Sequence, residues 1–287
     1  MGYPPIIIVG MHRSGTTMLS KILEQFGIFM GWRKDPNNES FFFLRFNEWI
    51  LYQANASWDN PYNYIVADES FKQFISQLAY RYIGSIRRFE YLGFNKFIKY
   101  KNLKNLDFAW GWKDPRNSIT LDLWIKIFPE AKILHIYRNP IDVAESLKKR
   151  ATKIKNIFKW NIKKEWRFLF LKNKIHYTDS PRVLNLKEGI KLWKEYICNI
   201  LKLEKNLGLK IFHIKYENLL EKPEEVLEEI LDFIEIKVSK EKIKSIISEI
   251  DSSKRYSFLK NTKLLSLYDS IKNDELLKLL GYNKINF

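Results

Sequence analysis

Ile6-Ile7-Ile8-Val9 runs without a break into Gly10-Met11-His12-Arg13-Ser14-Gly15-Thr16-Thr17, and Leu19, Ile22, Leu23 and Phe26 follow at helical spacing. A short β-branched run reads as a buried strand. A stripe repeating every three to four residues reads as a helix with one face in a core. The junction between them nearly matches G-x-x-x-x-G-K-[ST], the loop whose backbone N–H groups cradle phosphate at a helix N-terminus. Such a loop needs glycines where backbone approaches the anion, a closing hydroxyl residue, and the positive end of a helix behind it. All three are present. An ordinary tight strand-to-helix turn accounts for the glycines but not for the rest. The departure lies at residue 16, where Thr16 replaces the lysine that holds a triphosphate, and the cation comes three residues earlier as Arg13. The loop therefore predicts a phosphate-like ligand that is not gripped in the usual ATPase manner.

Further strands are expected at Pro5–Val9, Lys132–Tyr137 and Lys210–Tyr216, with Phe108–Trp112 a weaker candidate. Helices are expected over Thr17–Phe26 and Ile141–Arg150, along the stripe Leu186, Ile190, Trp193, Ile197 and Leu201, and from Pro223 through Ile234. Strands alternating with helices predict an α/β fold with a parallel sheet flanked by helices, of P-loop NTPase-like topology. The C-terminal third is expected to be mostly helical. The length of 287 residues suits one α/β domain spanning residues 1–287 and supplies a large core. The single cysteine, Cys198, rules out an internal disulfide, which fits a reducing compartment. No run reaches the roughly 20 apolar residues of a spanning helix. The apolar start has no basic segment ahead of it, so a cytoplasmic location is expected.

The net charge of +16 points to an anionic partner: nucleic acid, a membrane surface, or a phosphate- or sulfate-bearing ligand. Lysine makes up 37 of the 49 basic residues, a bias that AT-rich coding alone also produces. The charge is uneven, with eleven basic residues and one acid, Glu165, between Lys148 and Lys174. Within that segment Ile154, Phe158, Ile162, Trp166 and Phe170 recur at helical spacing. Three readings stay open for residues 151–180: an ordinary helix packed on the core, a basic lid or insert over an acceptor, and a surface for anionic membrane or acidic glycan.

A second anion site is expected where Lys132–Tyr137 ends in Arg138. A metal-holding acid would end the corresponding strand of a triphosphatase. Pro140 then opens a helix that carries Ser146 and, one turn later, Arg150. An arginine at a strand end with Ser and Arg on the next helix makes an oxyanion pocket. The cation at that place disfavours a metal and none is expected, although Asp114 and Glu217, which follow other strands, are acids able to hold one.

Two anion sites, one on a phosphate loop that lacks its lysine, resemble the sulfotransferases that use 3′-phosphoadenosine 5′-phosphosulfate (PAPS). His12-Arg13-Ser14-Gly15-Thr16-Thr17 resembles their 5′-phosphosulfate loop in the arginine variant of tyrosylprotein and many bacterial members. Tyr137-Arg138-Asn139-Pro140 through Ser146 resembles their 3′-phosphate motif. Trp112-Lys113-Asp114-Pro115-Arg116, Tyr216-Glu217-Asn218-Leu219 and Leu279-Leu280-Gly281-Tyr282 resemble further family segments, in the family's order.

The resemblance implies sulfuryl transfer from PAPS to an acceptor hydroxyl or amine, with adenosine 3′,5′-bisphosphate as the product. It implies that Arg13, Ser14, Gly15, Thr16 and Thr17 bind the 5′ end, that Arg138 and Ser146 fix the 3′-phosphate, and that Arg150 and Tyr216 touch the nucleotide. Lys113 is implied as a second cation at the leaving oxygen, and a covering loop near Ser252–Lys263. Asp35, Glu39 and Glu48 are candidate bases. Glu39, ahead of Phe41-Phe42-Phe43, resembles the Glu of related sequences. A carboxyl against aromatics gains basicity by desolvation, although a helix N-terminus also accounts for an acid there. His12 reads as a packing or phosphate neighbour and His135 as core. The acceptor is expected to be a small molecule, glycan or lipid. Nucleic acid is not an expected partner, and peripheral contact with an anionic membrane is carried as an option. The alternatives are a P-loop kinase using ATP and a non-catalytic binder of nucleic acid or anionic membrane.

Overall fold

The computed structural model describes residues 2–159 and 178–285. Four strands form one parallel sheet in the order β2-β1-β3-β4: β1 (Ile6–Val9), β2 (Gly111–Lys113), β3 (Lys132–Tyr137) and β4 (Ile211–Lys215). The register sets Ile8 beside Lys113 and Leu134, and Tyr137 beside Lys215. The carboxyl ends of all four strands therefore lie along one edge. The chain steps from β1 to β2 on one side and then crosses to β3 on the other. In open parallel sheets, the crevice where strand order reverses is where ligands bind.

The chain divides into two compact units, Met1–Arg138 with Tyr196–Arg255, and Asn139–Glu195 with Tyr256–Phe287. The first holds the whole sheet. On one side of the sheet, α1 (Thr16–Gln25) buries Leu19, Ile22 and Leu23 in a cluster with Leu134, Ile136, Ile214, Leu227 and Ile230. On the other, α2 (Phe41–Gln53) carries Phe43, whose ring stacks on Trp112 of β2 at 3.9 Å. The helices α3 (Tyr62–Ile65), α4 (Glu69–Tyr82), α5 (Phe89–Lys99) and α6 (Asn117–Ile127) complete that half of the unit. In the interior of the sheet His135 Nδ1 lies 2.9 Å from His213 Nδ1, and His213 Nε2 reaches both Glu204 carboxylate oxygens at 3.1 Å. Burial holds His135 well below the usual histidine range, so it stays neutral in the core.

The second unit begins with α7 (Pro140–Lys159). Asn139 starts this helix: its Oδ1 accepts from Ile141 N at 2.9 Å, and Pro140 needs no donor in the first turn. Asp142 accepts from Ser257 Oγ at 2.7 Å and from Phe258 N at 2.9 Å, within the same unit. The next helix, α8 (Leu186–Leu207), contributes residues from Tyr196 onward to the first unit. Then α9 (Tyr216–Glu221), α10 (Pro223–Ile234) and α11 (Lys240–Ile247) follow β4 in the first unit, and α12 (Thr262–Ile271) and α13 (Glu275–Leu279) close the second.

The parallel α/β fold matches the sequence expectation, with two corrections. The weaker strand falls at Gly111–Lys113 rather than Phe108–Trp112, because Trp110 bridges Phe29 and only residues 111–113 pair with β1. The helix after β3 runs to Lys159, beyond Arg150. Of the basic-aromatic stripe, Ile154 lies in this helix, while Ile162, Trp166 and Phe170 lie outside the described residues. No described helix is long and apolar enough to cross a membrane.

Candidate active site

The β1–α1 loop has the conformation its glycines predict. Gly10 and Gly15 hold φ of 147° and 98°. A Cβ on Gly10 would stand 2.2 Å from the Ile136 carbonyl oxygen, and one on Gly15 would stand 2.4 Å from the Tyr216 ring. Both positions therefore exclude a side chain on packing as well as conformation. Arg13 also takes a left-handed backbone, φ 73°, and its side chain is exposed. Gly10 N donates to Ser118 Oγ at 2.8 Å, which ties the loop's first residue to α6. The first turn of α1 has no side-chain cap and no acid, so its amides remain open to an anion. Ser14 is fully buried and its Oγ has no hydrogen-bond partner. A buried hydroxyl without a partner is costly, so this one awaits an acceptor.

A cavity of about 450 Å³ opens beside this loop, within the roughly 300–1,000 Å³ of small-molecule sites. Arg13, Gly15, Thr16, Thr17 and Lys21 line one wall, Arg138 and Tyr216 the second, and Ile246, Glu249, Ile250, Asp251 and Lys254 the third. The two arginines expected at separate anion sites thus face one space. Arg138 lies 4.6 Å above the Tyr216 ring and donates to the Lys254 carbonyl at 2.8 Å. Stacking and that hydrogen bond hold its guanidinium at the end of β3.

Lys113 and Glu39 do not line the cavity; they meet behind its Thr17. Lys113, 1% exposed, places Nζ 2.9 Å from Glu39 Oε1 and 3.5 Å from Thr17 Oγ1. Arg116 completes the cluster. It stands 3.4 Å from Glu39, 3.1 Å from Asp114 and 2.8 Å from Glu48. Asp114 also accepts from Asn47 Nδ2 at 2.9 Å. Burial pushes the Glu39 carboxyl up to about 7; the negative charge of Asp114 adds to the rise, and Lys113 and Arg116 oppose it. A carboxyl so placed changes protonation near neutrality, as a general base requires. Glu39 stands just ahead of α2, two residues before Phe41. Asp35 is spent on its own turn, accepting from Glu39 N at 2.7 Å and Asn37 N at 2.9 Å, and Glu48 is paired with Arg116.

Ser146 and Arg150 lie on α7 in the second unit, where Arg150 pairs with Asp179. His12 is packed edge-on against Trp58 at 4.8 Å. Among the described residues, no three His, Cys, Asp or Glu side chains gather as a metal site.

Sequence reasoning did not single out Arg116, Asn47 or Ser118 for this site. Arg116 had a signal, since it closes the motif that supplies Lys113. Ser118 had none, because its contact with Gly10 spans 108 positions. The third wall falls within and just before the stretch expected to cover a nucleotide, Ser252–Lys263, of which Lys254 reaches the cavity.

A model of the sulfotransferase family matches residues 4–240. Among solved structures, the sulfotransferase domain from the Synechococcus PCC 7002 olefin synthase is similar at 18% identity and a TM-score of 0.50, over 99% of this chain and 98% of that one. A sulfotransferase from Alicyclobacillus acidocaldarius is similar at 14% identity and a TM-score of 0.50, with the same coverage. At such identities the likeness concerns the fold. Comparison with curated proteins gave no match.

Proposed function

The chain belongs to the sulfotransferase family, and on that premise we propose that it transfers a sulfuryl group from PAPS to an acceptor hydroxyl or amine. The convergence of Arg13, Thr16, Thr17, Arg138 and Tyr216 on one cavity carries this reading. These residues fit a nucleotide with anionic groups at two ends. The Ser14 hydroxyl lacks an acceptor, and the uncapped first turn of α1 offers amides. When bound, PAPS supplies an activated sulfuryl group on a phosphate leaving group.

The chain's own residues have separable tasks. Arg13, the Ser14 and Thr16 hydroxyls and the α1 amides bind and orient anionic oxygens at the 5′ end. Arg138 holds the 3′-phosphate. Lys113 holds a cation 3.5 Å from Thr17 Oγ1, where it would offset the charge developing on a leaving oxygen. Glu39 accepts the acceptor's proton at its carboxylate, and Lys113 and Arg116 keep that carboxylate in place until then. An ATP-dependent kinase fits less well, because Thr16 stands where the triphosphate lysine belongs.

Titration calorimetry with adenosine 3′,5′-bisphosphate in a chelating buffer tests the reading. Tight binding without magnesium is expected, with clear preference over ATP and AMP. Arg138→Ala is expected to weaken bisphosphate binding by about 1.5–3 kcal/mol, the scale of a hydrogen bond to a charged group. Unchanged affinity in that variant removes Arg138 from the site. Strong DNA binding without bisphosphate binding would replace the enzyme by a polyanion binder.

A further inference from the structure

Residues 86–107 carry six cations and two acids, Glu90, which is paired with Arg45, and Asp107, which is paired with Lys99. The same stretch leaves large apolar side chains in water: Ile86 is 78% exposed, Phe94 66% and Ile98 63%. Single exposed apolar residues are ordinary, but a joined set needs explanation. Here a fourth, Trp32, packs on α5 over Gly93, the residue before Phe94. Trp32, 53% exposed, is tied to α5 by Trp32 N to the Tyr91 carbonyl at 2.8 Å, and Arg33 N to the Glu90 carbonyl at 3.1 Å. Its ring covers Gly93, where a Cβ would lie 3.1 Å away, and φ there is 69°. Trp32 meets Phe89 at 5.4 Å, Phe89 meets Phe97 at 5.6 Å, and the Arg88 guanidinium lies 4.2 Å above Phe97. Beyond the Gly93 kink, Phe94 and Ile98 stand one helical turn apart.

We propose that this face of α5 seats the protein on an anionic bilayer surface. Trp32, Phe94 and Ile98 enter the boundary between headgroups and acyl chains, while Arg87 and Lys101 meet acidic headgroups; Lys99 is paired with Asp107. Aromatic and aliphatic side chains set among lysines and arginines are what such an interface selects. Protein interfaces are depleted in lysine, and a soluble polyanion gives no reason to leave Phe94 and Ile98 in water. The face carries its charge independently of the nucleotide site, so its failure would leave the proposed function standing.

Vesicle flotation of the full chain decides it, with phosphatidylcholine alone and with phosphatidylcholine and phosphatidylglycerol in equal parts. Binding is expected only to the mixed vesicles, weakening as salt rises. Phe94→Ser with Ile98→Ser is expected to lower that binding by roughly tenfold or more, while bisphosphate affinity, read as a check on folding, stays unchanged. Phe94→Trp is expected to keep full binding. Absence of binding to mixed vesicles overturns the proposal. So does wild-type binding by the double Ser variant, which would leave charge alone as the attraction.

Discussion

Glu39→Gln is expected to cut turnover by roughly 10²–10⁴-fold, the usual contribution of a general base, with bisphosphate affinity retained. Gln keeps the shape and one acceptor oxygen for Lys113 but cannot take a proton. The pH dependence gives a second reading of the same group. Glu39 is raised to about 7 by burial and by Asp114. The competent form is the deprotonated one, so the wild-type rate rises with pH through about 7. The Gln variant should lack that rising limb. Profiles of kcat/KM for the two proteins check both points. Normal turnover in the variant moves the base to another residue.

Lys113→Ala is expected to lose both activity and stability. Removing one partner of a buried ion pair costs about 3–5 kcal/mol; Arg116, still 3.4 Å from Glu39, places the loss toward the lower end. The loss depends on pH in a definite direction. Glu39 in the folded protein titrates near 7, above its ordinary 4.5. Its protonated form therefore favours folding, a contribution complete below 4.5 and lost as pH rises through about 7. Without Lys113 the carboxyl rises further, because a neighbour that lowered it is gone. The variant's deficit should therefore widen as pH increases past neutrality. Urea unfolding of both proteins on either side of pH 7 measures this, and a deficit constant with pH would mean that Glu39 is not held by Lys113 in solution.

The strand ends were readable because short-range chemistry marks them. Lys132–Tyr137 is predicted and observed with the same limits, its Ile133, Leu134 and Ile136 broken only by the buried His135 in an inner strand of the sheet. The β1–α1 loop was readable because glycine spacing and hydroxyls encode a backbone shape. The helices α2 through α6 were not, since Phe42, Phe43, Trp112 and Trp124 make a core from all sides and leave no clean stripe. Glu39 and Lys113 were each nameable in sequence, but their contact joins residues 74 positions apart. Arg116 between Glu39, Asp114 and Glu48 belongs to the same class, visible as a residue and invisible as a hub.

The third wall of the cavity, Ile246 through Lys254, lies past residue 240, where the family match stops. A fragment cut at that boundary would keep the glycine cradle and both arginines yet open the pocket on one flank. Arg138 would also lose the Lys254 carbonyl that anchors its guanidinium. On the proposed function, a chain truncated there is expected to bind adenosine 3′,5′-bisphosphate more weakly than the intact protein in the same calorimetric titration, and the cut also strips Ile243 and Ile246 from the core cluster that backs the sheet.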